Sequence, residues 1–311
     1  MRRYLAIILG VVSFVVTVSA QPKPETVQYG EKDGQKLMLD HYKAVDVEGL
    51  RPCVMFVFGG AFHSGDRARD YYLPYFDKLT QAGYDVVSID YRLGLKNASS
   101  EGDGMVAMIK LLVQAINFAA EDLYSATRYV LDHAAEWNID ATKIIASGSS
   151  AGAIACLQAE NYICNGNERA KILDGFNYAG VISFAGAVFS ASGAPSWKSE
   201  PCPMLLFHGN SDSNVPYNKA SAMGVGLYGS ELIYKQMARR NAPCTLYSYA
   251  WRAHEIAIDP MSLNIHEVLD FIERCVRGER NLKRVDVIDL KLEKKPTRFK
   301  VKDYLSSNYG A

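Results

Sequence analysis

The decamer Lys143–Gly152, KIIASGSSAG, decides the fold of this chain. Lys143 to Ser147 is a short apolar run of the strand type, and Ala151 to Glu160 reads as a helix. Between them, Gly148-Ser149-Ser150-Ala151-Gly152 must turn a strand into a helix at once. A serine on such a turn is strained, and its hydroxyl is exposed at the carboxyl edge of a sheet. Glycines two residues to either side leave room for backbone that a side chain would obstruct. The helix starting at Ala151 adds its positive end beside the serine. Only Ser150 has glycine at both −2 and +2, so Ser147 and Ser149 read as scaffolding.

Strands and helices alternate on both sides of this stretch. Val27 to Tyr29 and Leu37 to Tyr42 read as strands of a hairpin turning at Asp33-Gly34. Cys53 to Phe58, Tyr84 to Ile89, Val181 to Phe184, Pro203 to Phe207 and Thr245 to Tyr249 read as further short strands. Helices are expected over Tyr71 to Ala82, Glu121 to Trp137, Ser230 to Arg240 with Ser230 as cap, and from Asp259 to near Gly278. Strands apolar on both faces belong in a sheet covered on both sides. The class is therefore α/β, with a mostly parallel central sheet, an N-terminal antiparallel hairpin and helices on both faces.

The bulk properties bound the rest. The 311 residues are 49% hydrophobic, and 34 basic side chains cancel 34 acidic ones. That suits one large domain and gives no electrostatic case for nucleic acid. Residues 1–20 read as a signal peptide: Arg2 and Arg3 form a basic start, Leu5 to Val16 an apolar stretch, and Val18-Ser19-Ala20 a cleavage site. The chain is then exported, periplasmic or extracellular, and its mature part begins near Gln21. No later stretch is long and apolar enough for a membrane span. An oxidising compartment permits disulfides among the six cysteines, and Cys202 with Cys244 is the favoured pair, because each opens a strand expected to neighbour the other.

A serine hydroxyl needs a base to become a nucleophile, and histidine serves near neutral pH. Of six histidines, His254 lies just after the strand Thr245 to Tyr249, at the same sheet edge as Ser150. His208 is its main competitor and fits better as a brace for the loop after it. The imidazole in turn needs an orienting carboxylate. Asp212, directly after the strand Pro203 to Phe207, supplies one, giving the chain order Ser150, Asp212, His254. Acyl transfer also needs oxyanion donors, and losing one typically costs about 3 kcal/mol. Phe58-Gly59-Gly60-Ala61-Phe62 has the small residues for this, with the amide of Ala151 as a further donor.

Together these residues resemble the α/β-hydrolase superfamily, in its carboxylesterase and hormone-sensitive-lipase-like esterase branch. The resemblance runs from about Val27 to Arg277. Family members carry a His-Gly-Gly-Gly loop and a Gly-Asp pair. Phe58-Gly59-Gly60-Ala61 and Gly65-Asp66 stand in their places, and Ile89-Asp90-Tyr91-Arg92 resembles a structural Asp-Tyr-Arg segment. The match implies Gly60, Ala61 and Ala151 as oxyanion donors. With Phe58 in place of the loop histidine, the loop must be held differently.

The chain is thus expected to be an exported serine carboxylic ester hydrolase, working through an acyl-enzyme on short acyl or aryl esters. Its substrate would be a small molecule or a glycan-linked ester, and neither a metal nor a cofactor is implied. Acetyl or feruloyl esterase action on plant polysaccharides and lipase action are the finer alternatives. A catalytically silent binding protein on the same scaffold is the alternative from another class. A prolyl-oligopeptidase-type peptidase would need a propeller domain, for which too few residues precede Cys53. Within the hydrolase domain, residues 21–280, two readings stand for 94–118: a buried helix, or a lid insertion whose helical part is Met105 to Phe118. The C-terminal tail, 281–311, is lysine-rich with a strand-like alternation at Val285 to Leu292. It reads as solvated surface, as packing on the domain edge, or as a docking segment.

Overall fold

A computed structural model describes residues 23–96, 104–297, 303 and 306–308. Residues 1–20, where a signal peptide was expected, and most of the loop Gly94–Asp103 lie outside the described residues. Strands β1 (Glu25–Lys32) and β2 (Gln35–Tyr42) form the expected hairpin, with Lys32 opposite Gln35. Asp33 and Gly34 both take positive φ, 54° and 73°, which a two-residue turn of this hand requires.

Seven parallel strands come next: β3 (Arg51–Val57), β4 (Asp85–Ile89), β5 (Ile139–Ser149), β6 (Gly180–Phe184), β8 (Met204–Gly209), β11 (Cys244–Tyr249) and β12 (Leu282–Val287). Among the described residues, the sheet has nine strands in the order β1-β2-β4-β3-β5-β6-β8-β11-β12. The chain moves outward from β3 to β4, then returns to place β5 on the other flank of β3. That reversal leaves a crevice at the carboxyl ends of β3 and β5, where ligands of open α/β sheets bind. The loop after β3 and the turn at Ser150 both open into it.

Helices cover both faces. On one, α1 (Leu73–Gln81) packs against α7 (Ile265–Arg277) and the short α6 (Pro260–Leu263). On the other, α4 (Ala151–Asn165) lies on β3, β5 and β6, and α2 (Met105–Asp132) lies on α4. Helix α3 (Ala134–Trp137) comes directly after α2, and α5 (Ser230–Arg240) packs on β8 and β11. Aromatic rings bind the sheet together: Tyr75 meets Phe184 edge-on at 5.7 Å, and Phe184 stacks on Phe207 at 5.3 Å.

Several elements differ from expectation. Helix α2 is one continuous element rather than a segment at Met105 to Phe118 and another from Glu121. Leu112, Ala115, Ile116 and Ala119 are buried in it. A second sheet of three antiparallel strands was not foreseen: β7 (Ala187–Ser190), β10 (Val225–Gly229) and β9 (Lys219–Ala222). In the tail, Leu282–Val287 extends the main sheet in parallel with β11. All six cysteines are buried and free. The strand register explains why Cys202 and Cys244 are unpaired: Cys244 stands opposite Met204, and Cys202 precedes β8, with its N–H donating to Glu160 Oε1 at 2.8 Å. Among the described residues, no helix is long and apolar enough to cross a membrane.

Candidate active site

Strand β5 ends at Ser149 and α4 begins at Ala151, so Ser150 alone makes the turn. It sits at φ 51° and ψ −116°, a conformation that an L-residue holds only under restraint. The restraint is visible. Ser150 N–H donates to Phe184 O at 2.8 Å, and Ser149 Oγ donates to Ala257 O at 2.9 Å. The flanking glycines are there for space. A Cβ on Gly152 would stand 2.0 Å from Val57 O, and one on Gly148 would stand 2.4 Å from Gly152 O.

Ser150 Oγ lies 2.8 Å from His254 Nε2, and His254 Nδ1 lies 2.7 Å from Asp212 Oδ2. The network assigns the proton to Nδ1, which donates to the carboxylate and leaves Nε2 to accept from the serine. The His254 side chain is 23% exposed, whereas Asp212 is fully buried. Burial pushes the Asp212 carboxyl up, but hydrogen bonds from His208 and His254 outweigh it and hold the group well below the usual carboxylate range. The backbone adds to this. Asn214 N–H and Val215 N–H donate to Asp212 Oδ1 at 2.7 and 3.0 Å.

The three expected residues therefore meet, and the loops that carry them are lashed together. Asn210 N–H donates to Tyr249 O at 2.9 Å, Ser211 N–H to Arg252 O at 3.0 Å, and Trp251 N–H to Asn210 Oδ1 at 2.7 Å. Gly209 permits this approach, since a Cβ there would stand 2.3 Å from Arg252 O. Glu255 does not touch the imidazole. It pairs with Arg252 at 2.8 Å and braces the His254 turn.

His208 acts as more than a loop brace. Its Nε2 faces Val215 O at 3.2 Å and Asp212 Oδ2 at 3.4 Å, while Nδ1 meets Ser230 Oγ at 2.8 Å. The same carboxylate oxygen thus has a histidine on each side. Ser230 was expected to cap α5, but its hydroxyl is spent on His208, and Gly229 occupies the cap position without a side-chain bond. The spacing of the His208-Gly209 pair ahead of Asp212 was the one signal in the sequence for this arrangement.

The loop after β3 forms the opposite wall. Gly60, Ala61 and Phe62 take positive φ of 130°, 50° and 61°. Gly60 O accepts from His63 N–H and Ser64 N–H at 3.0 and 3.1 Å, closing a single left-handed turn. That turn leaves the Ala61 N–H outside its own bonds, while Ala151 N–H is one of the unpaired donors at the start of α4. Phe58, in place of a histidine, holds the loop by packing. Its ring lies 4.5 Å from that of Tyr91, whose hydroxyl donates to Phe58 O at 3.0 Å. Tyr72 Oη accepts from Gly59 N–H at 2.9 Å. A cavity of about 300 Å³ opens above Ser150, lined by Gly60, Ala61, His63, Tyr71, Asn214 and His254 among others. Among the described residues, none from α2 lines it. Among the described residues, no three His, Cys, Asp or Glu side chains gather as a metal-binding group.

Known proteins share this architecture. Esterase 2 of Thermogutta terrifontis, in its apo form, aligns over 83% of this chain and 96% of its own, with TM-score 0.59 and 22% identity. The chain has the α/β-hydrolase fold. The propionate-bound form of the same esterase aligns with TM-score 0.60 and 23% identity over 83% of this chain and 95% of that one. The form phosphorylated by paraoxon aligns with TM-score 0.57 and 22% identity over 83% and 94%. Residues 39–188 of this chain match the model of the BD-FAE family. Gut esterase 1 of Caenorhabditis briggsae is 29% identical over 132 residues, covering 42% of this chain and 22% of the relative's own length. The segment shared with the family model runs from β2 through the strained serine to β7 and so includes Gly60, Ala61 and Ser150.

Proposed function

We propose that this α/β-hydrolase is a serine carboxylic ester hydrolase, with Ser150 as nucleophile, His254 as general base and Asp212 orienting the histidine. One observation carries the reading: a strained serine 2.8 Å from an imidazole that a buried carboxylate holds at 2.7 Å. Ser150 attacks the ester carbonyl carbon, and His254 Nε2 takes the hydroxyl proton. The carbonyl oxygen becomes an oxyanion, met by the amides of Gly60, Ala61 and Ala151. Collapse expels the alcohol, which receives its proton from His254, and leaves an acyl group on Ser150. Water, deprotonated by His254, then releases the acid. Asp212 stays ionised throughout and stabilises the imidazolium.

Short acyl or aryl esters fit a cavity of about 300 Å³, at the lower end of ligand pockets. The propionate and paraoxon named on the Thermogutta structures support an acyl site and a reactive serine by analogy. Among the described residues, none from Met105 to Phe118 lines the cavity, and α2 packs on α4, so the cavity lends a lid there no support. Export rests on residues 1–20 and acetyl or feruloyl glycan esters on analogy. The test is hydrolysis of p-nitrophenyl esters from acetate to decanoate by the mature protein and its Ser150→Ala variant. Turnover that is highest on short chains and falls on the order of 10⁶-fold in the variant is the expected result. Activity retained in Ser150→Ala would reject the nucleophile.

A further inference from the structure

The cavity above Ser150 has a wall that neither the triad nor the loop after β3 supplies. Ser307 and Asn308 line it, alongside Asn214 and His254. Asn308 is fastened there: its Nδ2 donates to Asn214 O at 2.9 Å. Asn214 is no incidental anchor, because its own N–H donates to Asp212 Oδ1 at 2.7 Å. The C-terminal turn is thus tied to the loop that carries the buried carboxylate. The cavity they help to line measures about 300 Å³.

We propose that the turn at Ser307 and Asn308 is the outer wall of the substrate pocket and sets the size of ester that reaches Ser150. The inference rests on the ester-hydrolase reading of the same site and adds a specificity-determining element to it. A hydroxyl and a carboxamide offer hydrogen bonds to a polar alcohol or a short acyl group. They offer a long alkyl chain no apolar surface, so each further methylene forgoes the roughly 0.8 kcal/mol it would gain by burial. The wall therefore selects small, polar esters.

The experiment compares kcat/KM on p-nitrophenyl acetate and octanoate for four forms: the full chain, Asn308→Ala, Ser307→Trp, and a chain ended after Thr297. Asn308→Ala and the shortened chain should move the octanoate-to-acetate ratio upward by about tenfold, through octanoate KM. Ser307→Trp puts a large ring into a cavity of about 300 Å³ and should move the ratio downward, because octanoate runs out of room before acetate does. Ratios within twofold of the full chain in both point variants would overturn the proposal, whether or not the shortened chain folds. The same contrast is read without turnover, by calorimetric titration of butanoate and octanoate into each form carrying Ser150→Ala. Tighter octanoate binding in the Asn308→Ala form supports the wall, and unchanged binding rejects it. A protein that hydrolyses neither ester would sink the ester-hydrolase reading, and the binding contrast would still decide the wall.

Discussion

Asp212 accepts from His254 Nδ1 at 2.7 Å, and Asp85 meets His41 Nε2 at the same 2.7 Å, but the two pairs sit at opposite ends of the parallel strands. Asp85 opens β4, at the amino edge of the sheet. It also receives Arg51, whose Nε and Nη2 donate at 2.7 and 3.2 Å. His41 is fully buried and stacked 4.3 Å from Trp137, and among the described residues its second nitrogen has no partner. Asp212 lies at the carboxyl edge, and the second nitrogen of its histidine meets a serine hydroxyl at 2.8 Å, with both residues lining a cavity. A carboxylate–imidazole pair is therefore not a site in itself. It becomes one where the imidazole keeps a free face toward a nucleophile and a substrate. At the amino edge the same pair is closed in by rings and an arginine, and serves only to hold β2, β3 and β4 together.

The contrast breaks first at Asp212. Asp212→Asn keeps the shape of the side chain but offers His254 the wrong tautomer, so kcat should fall on the order of 10⁴-fold with little change in Tm. Stopped-flow or steady-state hydrolysis of p-nitrophenyl acetate measures this. A loss smaller than tenfold would mean that Asp212 does not orient the base.

At Asp85 the same substitution should reverse the pattern. Asp85→Asn leaves Arg51 buried without its counter-charge, at a cost of about 3–5 kcal/mol of stability. The urea midpoint should drop, while kcat/KM per folded molecule stays within about twofold, since no part of Asp85 faces the cavity. The pH dependence is set by the direction of the shift. Burial raises the Asp85 carboxyl, but bonds from His41 and Arg51 bring it below its ordinary value. A depressed folded pKa contributes stability above the unfolded value of about 3.9, and that stability is lost as pH falls toward the folded value. Acid unfolding below about pH 4 should therefore be less steep in Asp85→Asn than in the parent. An unchanged acid limb would show that Asp85 carries no net stabilisation.

This contrast also shows where the sequence could be read. The edge that carries chemistry was legible because small residues and turns mark it: Gly148 to Gly152, Gly59-Gly60 and the loop from His208 to Pro216 each come after an apolar strand. The hairpin was legible from Asp33-Gly34. The three-stranded sheet was not, because β7, β9 and β10 are four or five residues long and β10 contains Gly226 and Gly229. Their pairing is tertiary, and no local pattern encodes it. The unity of α2 was hidden for the opposite reason: it lacks glycine and proline throughout, so nothing marked a boundary and none exists. In β12, Leu282-Lys283-Arg284-Val285-Asp286-Val287 is too charged to suggest a buried strand, and at the sheet edge it need not be one. The place of Ser307 and Asn308 in the cavity wall had no signal at all, since it depends on a contact with Asn214 distant in the chain.

His208 sharpens the comparison most finely, because it gives Asp212 the second partner that Arg51 gives Asp85. Its Nε2 faces Asp212 Oδ2 at 3.4 Å, its Nδ1 is held by Ser230, and the Tyr217 ring meets it edge-on at 5.6 Å. A donor in that place fixes the carboxylate and draws off part of its charge. In His208→Ala, kcat should fall about tenfold, the equivalent of one hydrogen bond to a charged group, with KM unaltered. More of the carboxylate's charge would then face His254, which would bind its proton more tightly, and the acid limb of the kcat/KM profile should move to higher pH. His208→Gln retains an N–H that can donate and should recover much of the loss. A role confined to packing would lower Tm in His208→Ala and leave the pH profile where it was, and that result would reduce His208 to a brace.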